Sequence, residues 1–372
     1  MPPARALVCV LLISLLATCV SPQSWEATRL LRDIQAKGGP SELKRTTAQP
    51  RREAIAVQGP GRRTTADLYH PGGEARGRII LVHGFTPHGK NDARLVALAE
   101  SLARVGFLVM TPDLPGSKAT RISEADAQRL ADALVHLAER DEPGVPKTRP
   151  GLFAISYAVG LAVQASAEPR ARERLGVLVS LGGFYDTRAV IRFITTGRHR
   201  DPLSGAQLDA APRPASKWLF LAGNAAALKD ARDRRLLTRI AWRKLEDPGS
   251  RIDDLTAGLS AEGGRVLELI VNDDPVRVDG LIARLPERMR AQMQRLSPSA
   301  YDLSHLAGRL ILIHGREDRM IPYTQSVAFA RAVEQSELFL IPDFSHIDPA
   351  GVSLAGRLAL IDAAQAVLER RR

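Results

Sequence analysis

The chain has 372 residues, 45% hydrophobic and 5% aromatic, with a formal charge of +11 carried mostly by arginine. Its length and apolar content supply a sizeable core, in one large α/β domain or two smaller ones. With no zinc-ligand spacing and no aromatic-interleaved basic stripe, the charge reads as arginine spread over a solvated surface. That argues against a dedicated nucleic-acid or other polyanion site and leaves attraction to an anionic membrane surface as a weaker reading.

At the N-terminus Arg5 precedes the apolar run Ala6–Leu16, which is short for a membrane-crossing helix and right for the core of an export signal. Residues 1–20 are therefore expected to direct export, periplasmic or extracellular. Leu16-Ala17-Thr18-Cys19 also resembles a bacterial lipobox, in which the cysteine would be lipidated and anchor the protein to a membrane, although threonine before the cysteine is atypical. Both cysteines, Cys9 and Cys19, fall in this segment, so the exported body has neither disulfide nor thiol nucleophile.

Trp25–Lys37 spaces Leu30, Leu31 and Ile34 as a short helix that docks on something, within an N-terminal extension over residues 21–49. Arg52–Val57 and Thr64–Tyr69 read as two strands of a hairpin around Gly59-Pro60-Gly61. The run Arg78–Val82 is a central parallel strand ending in His83-Gly84-Phe85. A helix over Asp92–Val105, a strand over Phe107–Met110 and a helix over Glu124–Arg140 follow. Leu152–Ile155 and Gly176–Leu181 are two more buried strands, with a small-residue helix over Tyr157–Ala167 between them. This alternation predicts a mainly parallel sheet with helices on both faces. GxGxxG and GxxxxGK[ST] are absent, so nothing suggests a dinucleotide or P-loop site.

From Phe184 to about Leu306 the pattern turns helical and proline-rich, with Trp218–Leu221 as its one strand-like run. An insertion over residues 186–306 is expected there. The sheet pattern resumes with Arg309–Ile313, a helix Thr324–Val333, a strand Leu338–Ile341 and a terminal helix Leu354–Arg370.

Three side chains stand just past strand ends. Ser156 lies between a buried strand and a helix, flanked by the small residues Ala154 and Ala158. Such a turn holds a serine in a strained conformation and projects its hydroxyl above the sheet, the pattern written G-x-S-x-G with both glycines here replaced by alanine. Asp318 follows the strand Arg309–Ile313, and His346 follows the last strand. Residues past the carboxyl ends of parallel strands converge on one rim, so a weak nucleophile, a base and an orienting acid would meet there. Glu317, Asp343 and Asp348 compete with Asp318 for the acid, and only Asp318 has the strand-end spacing. His83 and His314 read as strand-end structure. No His/Asp/Glu cluster has metal-ligand spacing.

His83-Gly84-Phe85, Ala154-Ile155-Ser156-Tyr157-Ala158, His314-Gly315-Arg316-Glu317-Asp318 with Ile321-Pro322, and Phe344-Ser345-His346 together resemble the α/β-hydrolase superfamily, in its bacterial esterase, dienelactone-hydrolase and serine-aminopeptidase-like branches. The resemblance covers roughly residues 50–185 and 300–372; the insertion matches nothing within it. It implies an α/β-hydrolase fold whose core is split into residues 50–185 and 307–372 around a helical cap. It also implies Ser156 as nucleophile, His346 as general base and then acid, and Asp318 as orienter of the imidazole. The backbone N–H groups of Phe85 and Tyr157 would form the oxyanion hole, and no metal or other cofactor would be needed.

The expected reaction is hydrolysis of a small carboxylic ester carrying an apolar acyl or aromatic group, with no nucleic-acid partner. The cap would set substrate size, with His88, Phe184, Tyr185, Phe193 and Trp218 as candidate lining residues. Amide or aminopeptidase chemistry on the same triad is one alternative. A non-catalytic binding protein of the same fold is the other.

Overall fold

The computed structural model describes residues 22–60, 62–346 and 351–371. The export-signal and lipidation readings, with Cys9 and Cys19, lie outside the described residues, as does Asp348. No helix among the described residues is long and apolar enough to cross a membrane.

Eight strands form one sheet in the order β1-β2-β4-β3-β5-β6-β9-β10. They are β1 (Arg51–Gly59), β2 (Arg62–His70), β3 (Gly77–Val82), β4 (Phe107–Pro112), β5 (Gly151–Ile155), β6 (Val177–Leu181), β9 (Leu310–Gly315) and β10 (Glu337–Ile341). Only β2 runs against the rest: it pairs antiparallel with β1 and with β4, while β4, β3, β5, β6, β9 and β10 pair parallel. Every residue of β3 and β4 is buried, which is why these strands read as unbroken apolar runs rather than alternating ones. Alternation survives in which face each residue serves. Ile80 and Val82 join one apolar cluster, and Ile79 and Leu81 join the cluster on the opposite face.

Helices of nine or more residues cover both faces. Those of the core are α1 (Pro22–Gln35), α2 (Ala93–Arg104), α3 (Glu124–Glu139), α4 (Ala158–Ala167), α10 (Thr324–Ala332) and α11 (Leu354–Glu369). The fold class expected from the sequence, a mainly parallel sheet with helices on both faces and a helical cap, is the one this structure has. Helix α1 docks on α11, burying Ala27 and Leu30, and Glu26 on α1 receives both Arg371 guanidinium nitrogens at 2.8 and 2.6 Å.

Between β6 and β9 the chain leaves the sheet and builds α5 (Thr187–Thr196), α6 (Pro214–Asn224), α7 (Ala231–Glu246), α8 (Ala261–Val271) and α9 (Glu287–Leu296) around an apolar cluster of their own. Two corrections to the sequence reading fall in this region. The strand-like run Trp218–Leu221 is the middle of helix α6: Pro214 starts the helix, and Trp218, Leu221 and Ala222 are buried at helical spacing on one face. The region also holds a small hairpin, β7 (Arg198–Arg200) with β8 (Gln207–Asp209), whose three-residue strands are too short and polar to show as a pattern.

The insertion is tied to the sheet domain at named points. The Arg213 N–H donates to Arg319 O at 2.8 Å, and the Ile122 N–H donates to Gly223 O at 3.0 Å. Helix α6 thus spans from the loop after β9 to the loop before α3. Helix α9 presses on α4 where Gly160 stands: a Cβ there would fall 2.3 Å from Leu296 O, so only glycine permits the approach.

Candidate active site

The sheet order reverses beside β3, with β4 on one side and β5 on the other, and the turns after β3 and β5 face each other across this switch point. Ser156 lies in the second turn. Its φ of 58° is a left-handed conformation that costs a non-glycine residue about 1–3 kcal/mol. The turn is held by the Ser156 N–H donating to Leu181 O at 2.8 Å, and by Ala154 and Ala158, both fully buried where strand and helix close together. Alanine therefore fits the place where the pattern is usually glycine, and the strain falls on the serine itself.

His346 stands over Ser156, with its Nε2 2.8 Å from Ser156 Oγ and its Nδ1 2.6 Å from Asp318 Oδ2. A carboxylate only accepts, so Nδ1 carries the hydrogen and Nε2 is left to accept from the serine hydroxyl. Gly182, at φ 58°, makes room beneath the ring: a Cβ there would lie 2.9 Å from His346 O and 3.2 Å from Nδ1.

Asp318 is held from every side. Its Oδ1 accepts the N–H groups of Met320 at 2.7 Å and Ile321 at 3.0 Å. Its Oδ2 faces a second histidine, His314 Nε2, at 3.2 Å. That nitrogen also lies 2.9 Å from Ile321 O, and His314 Nδ1 lies 2.7 Å from Ser326 Oγ. Both neighbours of Nε2 are acceptors, so His314 is the Nε2–H tautomer and takes the Ser326 hydroxyl hydrogen on Nδ1. Burial works to raise the Asp318 carboxyl, and the hydrogen bonds from His314 and His346 outweigh it, holding it well below the ordinary carboxylate range. His314, read from sequence as strand-end structure, thus also touches the carboxylate. Of the competing acids, Glu317 and Asp343 are exposed, and Asp343 occupies a left-handed turn position at φ 56°.

The His83-Gly84-Phe85 turn lies against the serine. A Cβ on Gly84 would sit 3.5 Å from Ile155 O and 3.9 Å from Ser156 Cβ. His83 Nδ1 donates to Gly84 O at 2.7 Å, and burial lowers the pKa of the imidazole. The rings of Phe85 and Tyr157 stack with centroids 3.7 Å apart and planes 19° from parallel. The Tyr157 hydroxyl pairs with Ser117 Oγ, and Ser117 in turn donates its backbone N–H to Asp126 Oδ2 at 2.8 Å. The sequence carried no sign of this chain from Asp126 to Tyr157, because its members are far apart along the chain and each is ordinary in its own segment.

Beside Ser156 a cavity of about 120 Å³ opens between the sheet domain and the insertion. Phe85, Tyr157 and Met320 line it from the sheet side; Leu219, Phe220 and Met293 line it from α6 and α9. No lining residue is charged. Of the candidate lining residues, Phe184 borders this cavity. His88 and Tyr185 do not: His88 is exposed on the surface, and Tyr185 turns away to pack on Phe329, with ring centroids 5.6 Å apart. Phe193 and Trp218 are also outside it, Trp218 buried inside the insertion and Phe193 packed edge-on against His199. No group of three or more His, Cys, Asp or Glu side chains among the described residues is arranged to hold a metal ion.

No protein-family model matches the chain, nor does any curated protein sequence. Among solved structures, dienelactone hydrolase from Anabaena variabilis is 17% identical with a TM-score of 0.44, covering 87% of this chain and 97% of its own. Acylaminoacyl peptidase from Pyrococcus horikoshii is 15% identical with a TM-score of 0.47 over 88% of this chain, which spans only 42% of the peptidase. An esterase from Pyrobaculum calidifontis is 16% identical with a TM-score of 0.48, covering 95% of this chain and 92% of its own. At such identities and TM-scores these likenesses carry no chemistry, which has to be read from the side chains themselves.

Proposed function

We propose that this chain, whose fold is that of the α/β-hydrolases, is a serine hydrolase that cleaves small carboxylic esters through an acyl-enzyme. The observation that carries the reading is the continuous path Ser156 Oγ, His346, Asp318, opening on an uncharged cavity. Ser156 would attack the ester carbonyl while His346 Nε2 takes its proton. The alcohol would leave with that proton, and water activated by the same nitrogen would release the acid. The backbone N–H groups of Phe85 and Tyr157 would receive the oxyanion, each worth on the order of 10²–10³ in rate. Because the two side chains stack, the segments carrying these donors are held in fixed register.

Ester rather than amino-terminal peptide substrates are favoured by the cavity itself. An aminopeptidase must pair its substrate's ammonium group with a carboxylate, and the lining offers none. The reading includes export, which rests on the N-terminal pattern alone. Its test is reaction with a small fluorophosphonate followed by intact mass and peptide mapping. One stoichiometric adduct on Ser156, absent from Ser156→Ala, is the expected result. A folded protein that takes no adduct would favour the non-catalytic binding reading.

A further inference from the structure

Phe85 is gripped from three directions. Gly84 brings its turn against the serine turn, where a Cβ would lie 3.5 Å from Ile155 O. One face of the Phe85 ring lies on Tyr157, whose hydroxyl is tied through Ser117 to the buried Asp126. The edge of the ring meets the insertion, at Gly223 of helix α6. A Cβ on Gly223 would fall 3.1 Å from Phe85 Cζ and 3.3 Å from Cε2, inside the 3.5–4.0 Å at which carbons ordinarily pack.

The helix itself does not ask for glycine at this position. Gly223 is buried, its φ is not left-handed, and alanine is the better helix residue. What glycine provides is the close approach to the ring. The same residue also fastens the helix, since Gly223 O accepts the Ile122 N–H at 3.0 Å. Leu219 and Phe220, one turn earlier on the same face of α6, wall the space beside Ser156. The insertion therefore touches the cavity and the Phe85 turn through one helix surface.

We propose that Gly223 is a positioning residue: by letting α6 close on the Phe85 ring, it holds the Phe85 N–H where the oxyanion forms. The insertion then completes the catalytic site as well as walling the cavity. This rests on the serine-hydrolase reading, in which that N–H is an oxyanion donor. Such donors work by being fixed before charge develops, so a displacement of less than about 1 Å lowers kcat and leaves ground-state binding alone.

The test is a double-mutant cycle on a p-nitrophenyl ester, with kcat and KM read separately and folding checked by melting curves. Gly223→Ala should lower kcat about 5–20-fold, with KM changed less than about 2-fold. Phe85→Leu removes the edge of the ring and should lower kcat by itself. Adding Gly223→Ala to Phe85→Leu should cost less than about 2-fold more, because the new methyl group then has room. A glycine needed only for the packing of the helix would give the same loss in both backgrounds. That result, or wild-type kcat in folded Gly223→Ala, would overturn the inference, and a fluorophosphonate adduct on Ser156 would leave the hydrolase reading standing. Phe85→Leu cuts the contact without adding an atom, so wild-type kcat there would overturn the inference even if Gly223→Ala did not fold. Absence of turnover on all esters together with absence of an adduct on Ser156 in the wild type would overturn both.

Discussion

Ser156→Ala and His346→Ala should each lower kcat on an ester substrate by on the order of 10⁵ or more, and the double variant should lose little beyond either single one. The reason is the 2.8 Å bond between them: the hydroxyl is activated only by the nitrogen that takes its proton, so removing either partner removes the same event. Removing the Ser156 hydroxyl leaves the backbone turn in place. Alanine at φ 58° keeps roughly the serine's strain, so thermal unfolding should move little while turnover vanishes. Initial rates with a p-nitrophenyl ester, alongside melting curves, check both halves. Near-native turnover by folded His346→Ala would remove the triad reading.

Asp318→Asn should cost about 10⁴ in kcat, and here the direction follows from atoms already placed. Oδ1 is fixed as an acceptor by the N–H groups of Met320 and Ile321. The carboxamide oxygen must take that side, because an amide NH₂ there would meet two donors. The new NH₂ then faces His346 Nδ1 and His314 Nε2. His346 can meet a donor only by moving its hydrogen to Nε2, the nitrogen that has to accept from Ser156, so the base is lost through the wrong tautomer. His314, whose Nε2–H still has Ile321 O, is pushed against the same NH₂. A stability loss of about 1–3 kcal/mol should accompany the loss of activity. The acid limb of stability should change as well. The folded Asp318 carboxyl lies below its open-chain value of 3.8, so its stabilising contribution is fully present above about pH 4 and disappears as pH falls through the folded value. The asparagine variant lacks that component, and denaturant unfolding as a function of pH would show it.

What the sequence made legible was local. Ser156, Asp318 and His346 each follow an apolar run that forms a strand, and a residue one turn past a parallel strand has little choice about which rim it reaches. Ala154 and Ala158 could be read as tolerable substitutes because the requirement at those positions is small volume, which their complete burial now explains. Trp218–Leu221 misled because four apolar residues satisfy a buried strand and a buried helix turn equally, and Pro214, four residues earlier, was the cue for helix. The cavity lining was out of reach for a related reason. Trp218 inside the insertion, and Leu219 and Phe220 on the cavity wall, are neighbours of like chemistry on one helix, and only the rotation of α6 decides which face the serine. His314 looked like any strand-end histidine, since its bond to Asp318 depends on a turn four residues long that closes back on the strand.

The place where the insertion joins the sheet has a consequence for anyone who would shorten this protein. Strands β6 and β9 are adjacent and parallel, so the chain leaves one at its carboxyl end and must return to the other at its amino end, across the full height of the sheet. Residues 182–309 are therefore the crossover itself, not a loop hung on a hairpin. Parallel neighbours need a dozen or more residues to make that return, so the segment has no flush excision. A minimal version would keep a bridging helix across the sheet face and would expose Ser156 to water, exchanging a walled cavity for an open groove.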